Sequence, residues 1–108
     1  MGHIVFRIEK PGLFFCNSFK TIHGGAIATW LDCLTTIGIY AFDPHQRLMT
    51  VSLNMTIDYM TASQVNQPLL IKTVVKRLGK NIAFTECIFS NAQTKKLVAV
   101  GSHKKAFI

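Results

Sequence analysis

Asp32 stands in the run Trp30-Leu31-Asp32-Cys33-Leu34, with apolar residues on both sides. Ala28 and Thr36 occupy the positions four before and four after it, so no cation on its own helical face can pair with it. A charged group in such a setting is costly unless something outside its helix stabilises it. It then either pairs across to a strand, faces a solvent gap, or works as a general base or nucleophile. Eight residues earlier comes His23-Gly24-Gly25. A helix beginning there presents unpaired N–H groups and a partial positive charge, and glycine lets a ligand oxygen approach the backbone. That makes an oxyanion hole without a side chain. The plainer reading is a glycine-rich helix entry with His23 as its cap.

Geometry couples the two groups. Eight helical residues separate Gly24 from Asp32 by ~12 Å along the axis and ~80° around it. A donor to an acyl oxygen and a base acting at the adjacent carbon must lie within a few ångström of one atom. If both are catalytic, one comes from each of two subunits packed antiparallel. Asn17 lies six residues before His23, where its amide could orient a water or polarise a carbonyl, or simply form a turn. Ser52 falls on the polar side of a strand after the helix, able to hold a water beside a carboxylate or merely to face solvent. His45 and His103 have no ligand-like spacing with any Cys or Asp, and no metal site is expected. No serine lies in a GxSxG setting.

These residues must be positioned by a small set of elements. His3 to Glu9 alternates as a strand and Lys10-Pro11-Gly12 turns the chain. Leu13 to Cys16 reads as a second strand or its stub, and Asn17 to Ile22 as a loop. Gly24 to Phe42 is the one helix, apolar nearly all round and therefore expected to be buried on most of its surface, with Asp43-Pro44-His45 as its stop. Val51 to Tyr59, Leu69 to Leu78, Ile82 to Ser90 and Leu97 to Ile108 are strands, the middle pair joined by the tight turn Gly79-Lys80-Asn81. The expected class is α+β. One long central helix is wrapped by a mostly antiparallel sheet of five to six strands, the hotdog architecture, in a single domain over residues 1–108.

The chain has 108 residues, 49% apolar and 16% charged, which excludes disorder and fits one domain. A domain of this size buries a modest share of its surface, and a dimer is the natural expectation. Three cysteines, with no CxxC pair, argue against a disulfide framework. The N-terminus lacks the pattern of a signal peptide, and Asp32 and several threonines interrupt the helix as a membrane span, so an intracellular protein is expected. The net charge of +7 points to an anionic partner. Lys72, Lys76, Arg77 and Lys80 cluster on one strand and turn, and Lys95, Lys96, Lys104 and Lys105 in the last hairpin. No nucleic-acid motif accompanies them.

Taken in order, Asn17, His23-Gly24-Gly25, Asp32, Val51-Ser52-Leu53-Asn54-Met55, Tyr59-Met60, Leu78-Gly79-Lys80, Ala83-Phe84-Thr85 and Gly101-Ser102-His103 resemble the PaaI-like group of hotdog-fold acyl-CoA thioesterases over nearly the whole chain. The resemblance implies hydrolysis of a medium- or long-chain acyl-CoA to fatty acid and CoA. Asp32 would be the general base or nucleophile, the Gly24 N–H the oxyanion donor, and His23, Asn17 and Ser52 would stand around the carbonyl and water. It further implies that Tyr59 and the turn Arg77, Gly79, Lys80 and Asn81 contact CoA. It implies sites shared within a homodimer, usually paired into a homotetramer, no metal or organic cofactor, and a cytoplasmic or mitochondrial location. The chain begins almost at its first strand, where many members carry an N-terminal helix over the acyl tunnel. A hotdog dehydratase would need a second acid near His23, which is missing. A non-catalytic acyl-CoA binding or sensing protein is the alternative.

Overall fold

The computed structural model describes residues 2–12, 15–18 and 20–108. Its elements in chain order are β1 (Gly2–Ile8), α1 (Gly24–Phe42), β2 (Thr50–Tyr59), β3 (Leu69–Leu78), β4 (Ile82–Asn91) and β5 (Leu97–Phe107). The five strands form one antiparallel sheet in the order β1-β3-β4-β5-β2, so α1 carries the chain from one sheet edge to the other. Leu13 and Phe14 of the expected second strand lie outside the described residues. At its end Cys16 makes only an isolated bridge to Ile22.

Helix α1 starts and stops for local reasons. His23 caps it in extended conformation, its Nδ1 accepting from the Gly25 N–H at 3.0 Å. Asp43 closes it, donating its N–H to the Ile39 carbonyl, and Pro44 then has no N–H to continue the ladder. Ile27, Leu31, Thr35, Gly38 and Ile39 repeat at helical spacing and form the face laid on the sheet. On β4, Ala83, Thr85, Cys87, Phe89 and Asn91 alternate inward to meet them, joined by Leu69, Ile71, Thr73 and Val75 of β3.

Two glycines set how closely helix and sheet approach. A Cβ on Gly38 would stand 3.1 Å from Thr73 Cγ2 and 3.2 Å from Val75 Cγ2. A Cβ on Gly101 of β5 would fall 2.7 Å from Leu31 Cδ2.

Three features depart from the sequence expectations. The helix is not buried on most of its surface within one chain, since Thr29, Asp32, Cys33, Ile37, Tyr40 and Ala41 are exposed. By length and composition α1 would also pass as a membrane span, yet its apolar inner stripe is spent on the sheet. Strand β2 is exposed along nearly all its length, with Val51, Leu53, Met55 and Tyr59 open to solvent at the sheet edge.

Candidate active site

The middle of the site is built from α1, β2 and β5 around a residue that the sequence did not single out for chemistry. His103 is fully buried on the helix-facing side of β5. Its Nδ1 lies 2.8 Å from Thr35 Oγ1, and its Nε2 lies 2.8 Å from Ser52 Oγ and 4.0 Å from Asp32 Oδ1. Counting protons settles the roles. The Thr35 hydroxyl donates to the Leu31 carbonyl at 2.7 Å, so its oxygen accepts from the His103 Nδ1–H. The lone pair is then on Nε2, which accepts from the Ser52 hydroxyl. Burial pushes His103 below its ordinary 6.5, partly opposed by the Asp32 charge and reinforced by Lys105, so the imidazole is neutral near pH 7.

Ser52 reaches His103 because of a β-bulge. The β2–β5 register runs Ser52↔Lys105 and then Asn54↔Lys104, with Leu53 as the extra residue. One added residue reverses the alternation. Ser52 therefore shares the helix-facing side with Met55, Ile57 and Tyr59 instead of lying on the polar side with Asn54, Thr56 and Asp58.

Asp32 is likewise not withdrawn from water within one chain, its side chain being 53% exposed. Its backbone is held firmly all the same. Thr36 Oγ1 donates to the Asp32 carbonyl at 2.8 Å, and Thr35 Oγ1 lies 3.2 Å from the same oxygen.

A second group forms at the helix N-terminus. The His23 ring is engaged as the cap, which leaves Gly24 at the first helical position, where no intrahelical acceptor exists for its N–H. The Tyr59 hydroxyl donates to the Gly24 carbonyl at 2.8 Å, and a Cβ on Gly24 would meet the Tyr59 ring at 3.3 Å. Gly24 and Tyr59 border a cleft of about 250 Å³ with Thr21, Ile22, Met60 and Ser63. Asn17 shapes the turn that delivers His23: its Oδ1 accepts from the Thr21 N–H at 3.2 Å and hydroxyl at 3.0 Å, and the His23 N–H donates to the Phe15 carbonyl.

The third group sits beyond the helix C-terminus. Here the Gly79-Lys80 turn borders a second cleft of about 250 Å³ with Pro44, His45, Arg47 and Leu78. Arg47 donates to the Lys80 carbonyl at 2.8 Å, pairs with the buried Asp43 carboxylate at 3.0 Å and lies 3.5 Å from the centre of the Phe107 ring. Asn81 accepts from the Phe107 N–H, and Gly79 donates to the Ile82 carbonyl. A bulge between Val75 and Arg77 interrupts β3 just before this turn.

The expected site residues thus fall at three stations along a helix of 19 residues, ~28 Å long. Asp32 and Ser52 meet at the middle. Gly24, His23, Asn17 and Tyr59 gather at the start. Arg77, Gly79, Lys80 and Asn81 lie at the far end. One chain does not bring Tyr59 and the 77–81 turn together.

The basic clusters also separate. Lys76 pairs with Glu86 at 3.0 Å on the outer side of the sheet, and Lys72 and Lys104 are exposed. Lys105 is buried under the helix. Among the described residues no three His, Cys, Asp or Glu side chains gather as a ligand set.

Residues 19–98 match the family model of the thioesterase superfamily. Human acyl-coenzyme A thioesterase 13 is 31% identical over 97% of this chain and 80% of its own length. Among solved structures, zebra fish thioesterase superfamily member 2 superposes with a TM-score of 0.92 at 31% identity, over 99% of this chain and 75% of the other. The mouse protein of the same name gives 0.87 at 28% identity, over 96% and 74%. With its single helix laid on a five-stranded antiparallel sheet, the chain is a hotdog-fold thioesterase and belongs to the thioesterase superfamily.

Proposed function

We propose that the chain hydrolyses acyl-CoA thioesters, with Asp32 as the general base. The observation that carries this reading is the Asp32 carboxylate, open on the helix surface beside the Ser52–His103 pair. The Ser52 hydroxyl donates its hydrogen bond to Nε2, so its oxygen lone pairs remain to accept from a water next to Asp32. Asp32 takes a proton from that water as its oxygen attacks the thioester carbonyl. The C–O bond forms, the negative oxygen is held by the Gly24 N–H, and collapse breaks the C–S bond. The proton on Asp32 then passes to the departing thiolate. Nothing in these steps calls on a metal or organic cofactor.

The ~12 Å between Gly24 and Asp32 along one helix means that each site takes Gly24 from one subunit and Asp32 from another. The exposed face of α1 and the apolar edge of β2 support a homodimer, and pairing of dimers into a tetramer follows the family resemblance. His23 and Asn17 shape the entry to the Gly24 N–H. Tyr59 and, from the other subunit, Arg77, Gly79, Lys80 and Asn81 contact the CoA moiety. Medium- and long-chain fatty acyl groups are the proposed acyl class, in a reducing intracellular compartment.

The test is a panel of short, medium, long and aromatic acyl-CoAs assayed by thiol release. Asp32→Asn should lower kcat by about two to four orders of magnitude while acyl-CoA still binds. Near-wild-type turnover in that variant overturns the assignment. Tight binding with no thiol release by the wild type favours the non-catalytic alternative.

A further inference from the structure

Lys105 is a buried ammonium that the steps above do not use. It is 6% exposed, and its Nζ donates to Thr36 Oγ1 at 2.7 Å. Among the described residues no carboxylate lies within ion-pair distance of it. A buried cation without an anion is costly to keep, and an apolar side chain would fill the space with less penalty. Its surroundings show what the charge can act on. Lys105 pairs in register with Ser52 on β2 and with Ala83 on β4, and His103 precedes it on the same face of β5. From α1 the ionisable group on this side is Asp32, one turn before Thr36. From β4 the inward residues are Ala83 and Thr85, and from β2 they are Ser52 and Met55, none of them charged. Among the described residues, Asp32 is the carboxylate on the helical turn that Lys105 reaches through Thr36.

The hydrogen bonds run the same way. Lys105 donates to Thr36, and Thr36 donates to the Asp32 carbonyl. His103 donates to Thr35, the adjacent helix residue. Two consecutive threonines thus tie two inward residues of β5 to the turn of helix that carries Asp32.

We propose that Lys105 is a positioning residue for Asp32: through Thr36 it fixes the helical turn bearing the carboxylate, and it sets its charge beside the same buried His103. This rests on Asp32 being the base of the proposed reaction, although its electrostatic half can be read without turnover. Removing the cation relieves the His103 imidazole of a like charge, so that group binds a proton more readily.

The experiment uses the intact protein with Lys105→Met, Lys105→Arg and Thr36→Val. In Lys105→Met kcat should fall by about tenfold with KM unchanged. The His103 imidazole, followed by NMR titration, should move up. Lys105→Arg should keep both near wild type. Thr36→Val retains the charge and breaks the bridge, so kcat should fall while the His103 titration stays in place and KM is unchanged. A merely structural lysine would leave kcat and the His103 titration unmoved in folded Lys105→Met, and that result overturns the proposal. Should Lys105→Met not fold, Thr36→Val with wild-type kcat overturns it instead. If the wild type releases no thiol from any acyl-CoA, the thioesterase reading fails by itself, and the His103 titration still decides whether Lys105 acts on this cluster.

Discussion

His103 joins three elements through two hydrogen bonds, and its meaning depends on partners 51 and 68 positions away in the chain. Sequence reading could weigh Asp32 and Gly24 because their settings are local: an apolar run around a carboxylate, and two glycines after a capping histidine. It could not weigh His103, whose environment exists only after β5 is laid beside β2 and under α1. The same holds for Lys105, read as one of a basic cluster in the last hairpin open to an anionic partner, because no local pattern marks it as buried.

The protonation of these residues makes a pH prediction with a definite sign. Burial holds His103 below 6.5, so the unfolded chain binds a proton there that the folded chain refuses. Its stability contribution is whole above 6.5 and is lost as pH falls from there through its folded value. The Asp43 carboxyl, held well below 3.8 chiefly by its hydrogen bond from Arg47, contributes fully above 3.8 and is lost as pH falls further. Urea midpoints measured from pH 8 to pH 3 should therefore decline in two stages. His103→Gln should remove the upper stage and Asp43→Asn the lower one.

Elements were the most legible level of the sequence. The helix and β3 fall at the expected bounds because capping residues, proline and turn residues mark their ends. The faces were less legible. An alternating run such as Val51 to Tyr59 says nothing of the bulge at Leu53, since a bulge is a property of two paired strands. Deleting Leu53 should remove the bulge and leave Ser52 opposite Lys105 on the helix-facing side, so its bond to Nε2 should survive. The expected result is a folded protein that keeps most of its kcat, whereas Ser52→Ala should lose about tenfold or more, checked by steady-state kinetics and circular dichroism.

The distance between helix and sheet is a property of the same scale. Gly101→Ala puts a methyl group 2.7 Å from Leu31 Cδ2, which must push α1 off β5 or displace Leu31. It should cost about 1–3 kcal/mol in denaturant unfolding. It should also lower kcat, because the Thr35–His103 bond spans the same gap. Loss of stability with unchanged kcat would show that the gap does not govern the site.

For the whole molecule, the separation of Gly24 from Asp32 makes a stoichiometric prediction. Proline is accepted at the first turn of a helix and has no N–H, so Gly24→Pro should keep α1 and remove the proposed oxyanion donor. A loss of about 10² to 10³ in kcat is expected. Mixing this variant with Asp32→Asn, each nearly inactive, should generate hybrids with one intact site of two. Random exchange then restores about a quarter of wild-type activity. No recovery after subunit exchange is verified would place both groups in one chain's site. The net charge of +7, at first only a sign of some anionic partner, is split by the fold into an outer set paired or solvated, a turn at residues 77–81, and one cation beneath the helix.

Strand β2 has a consequence for the single chain before the proposed dimer forms. It is a ten-residue edge bearing Val51, Leu53 and Met55 in the open, with no strand of the described residues on its outer side and no proline to interrupt it. Such an edge accepts any extended segment, correct or not. Newly made protein at low abundance spends longest in that state. Its yield of soluble material should therefore rise with rapid pairing, and its melting temperature should rise with concentration. The strand that brings Ser52 to the site is thus also the segment on which safe assembly of the protein depends.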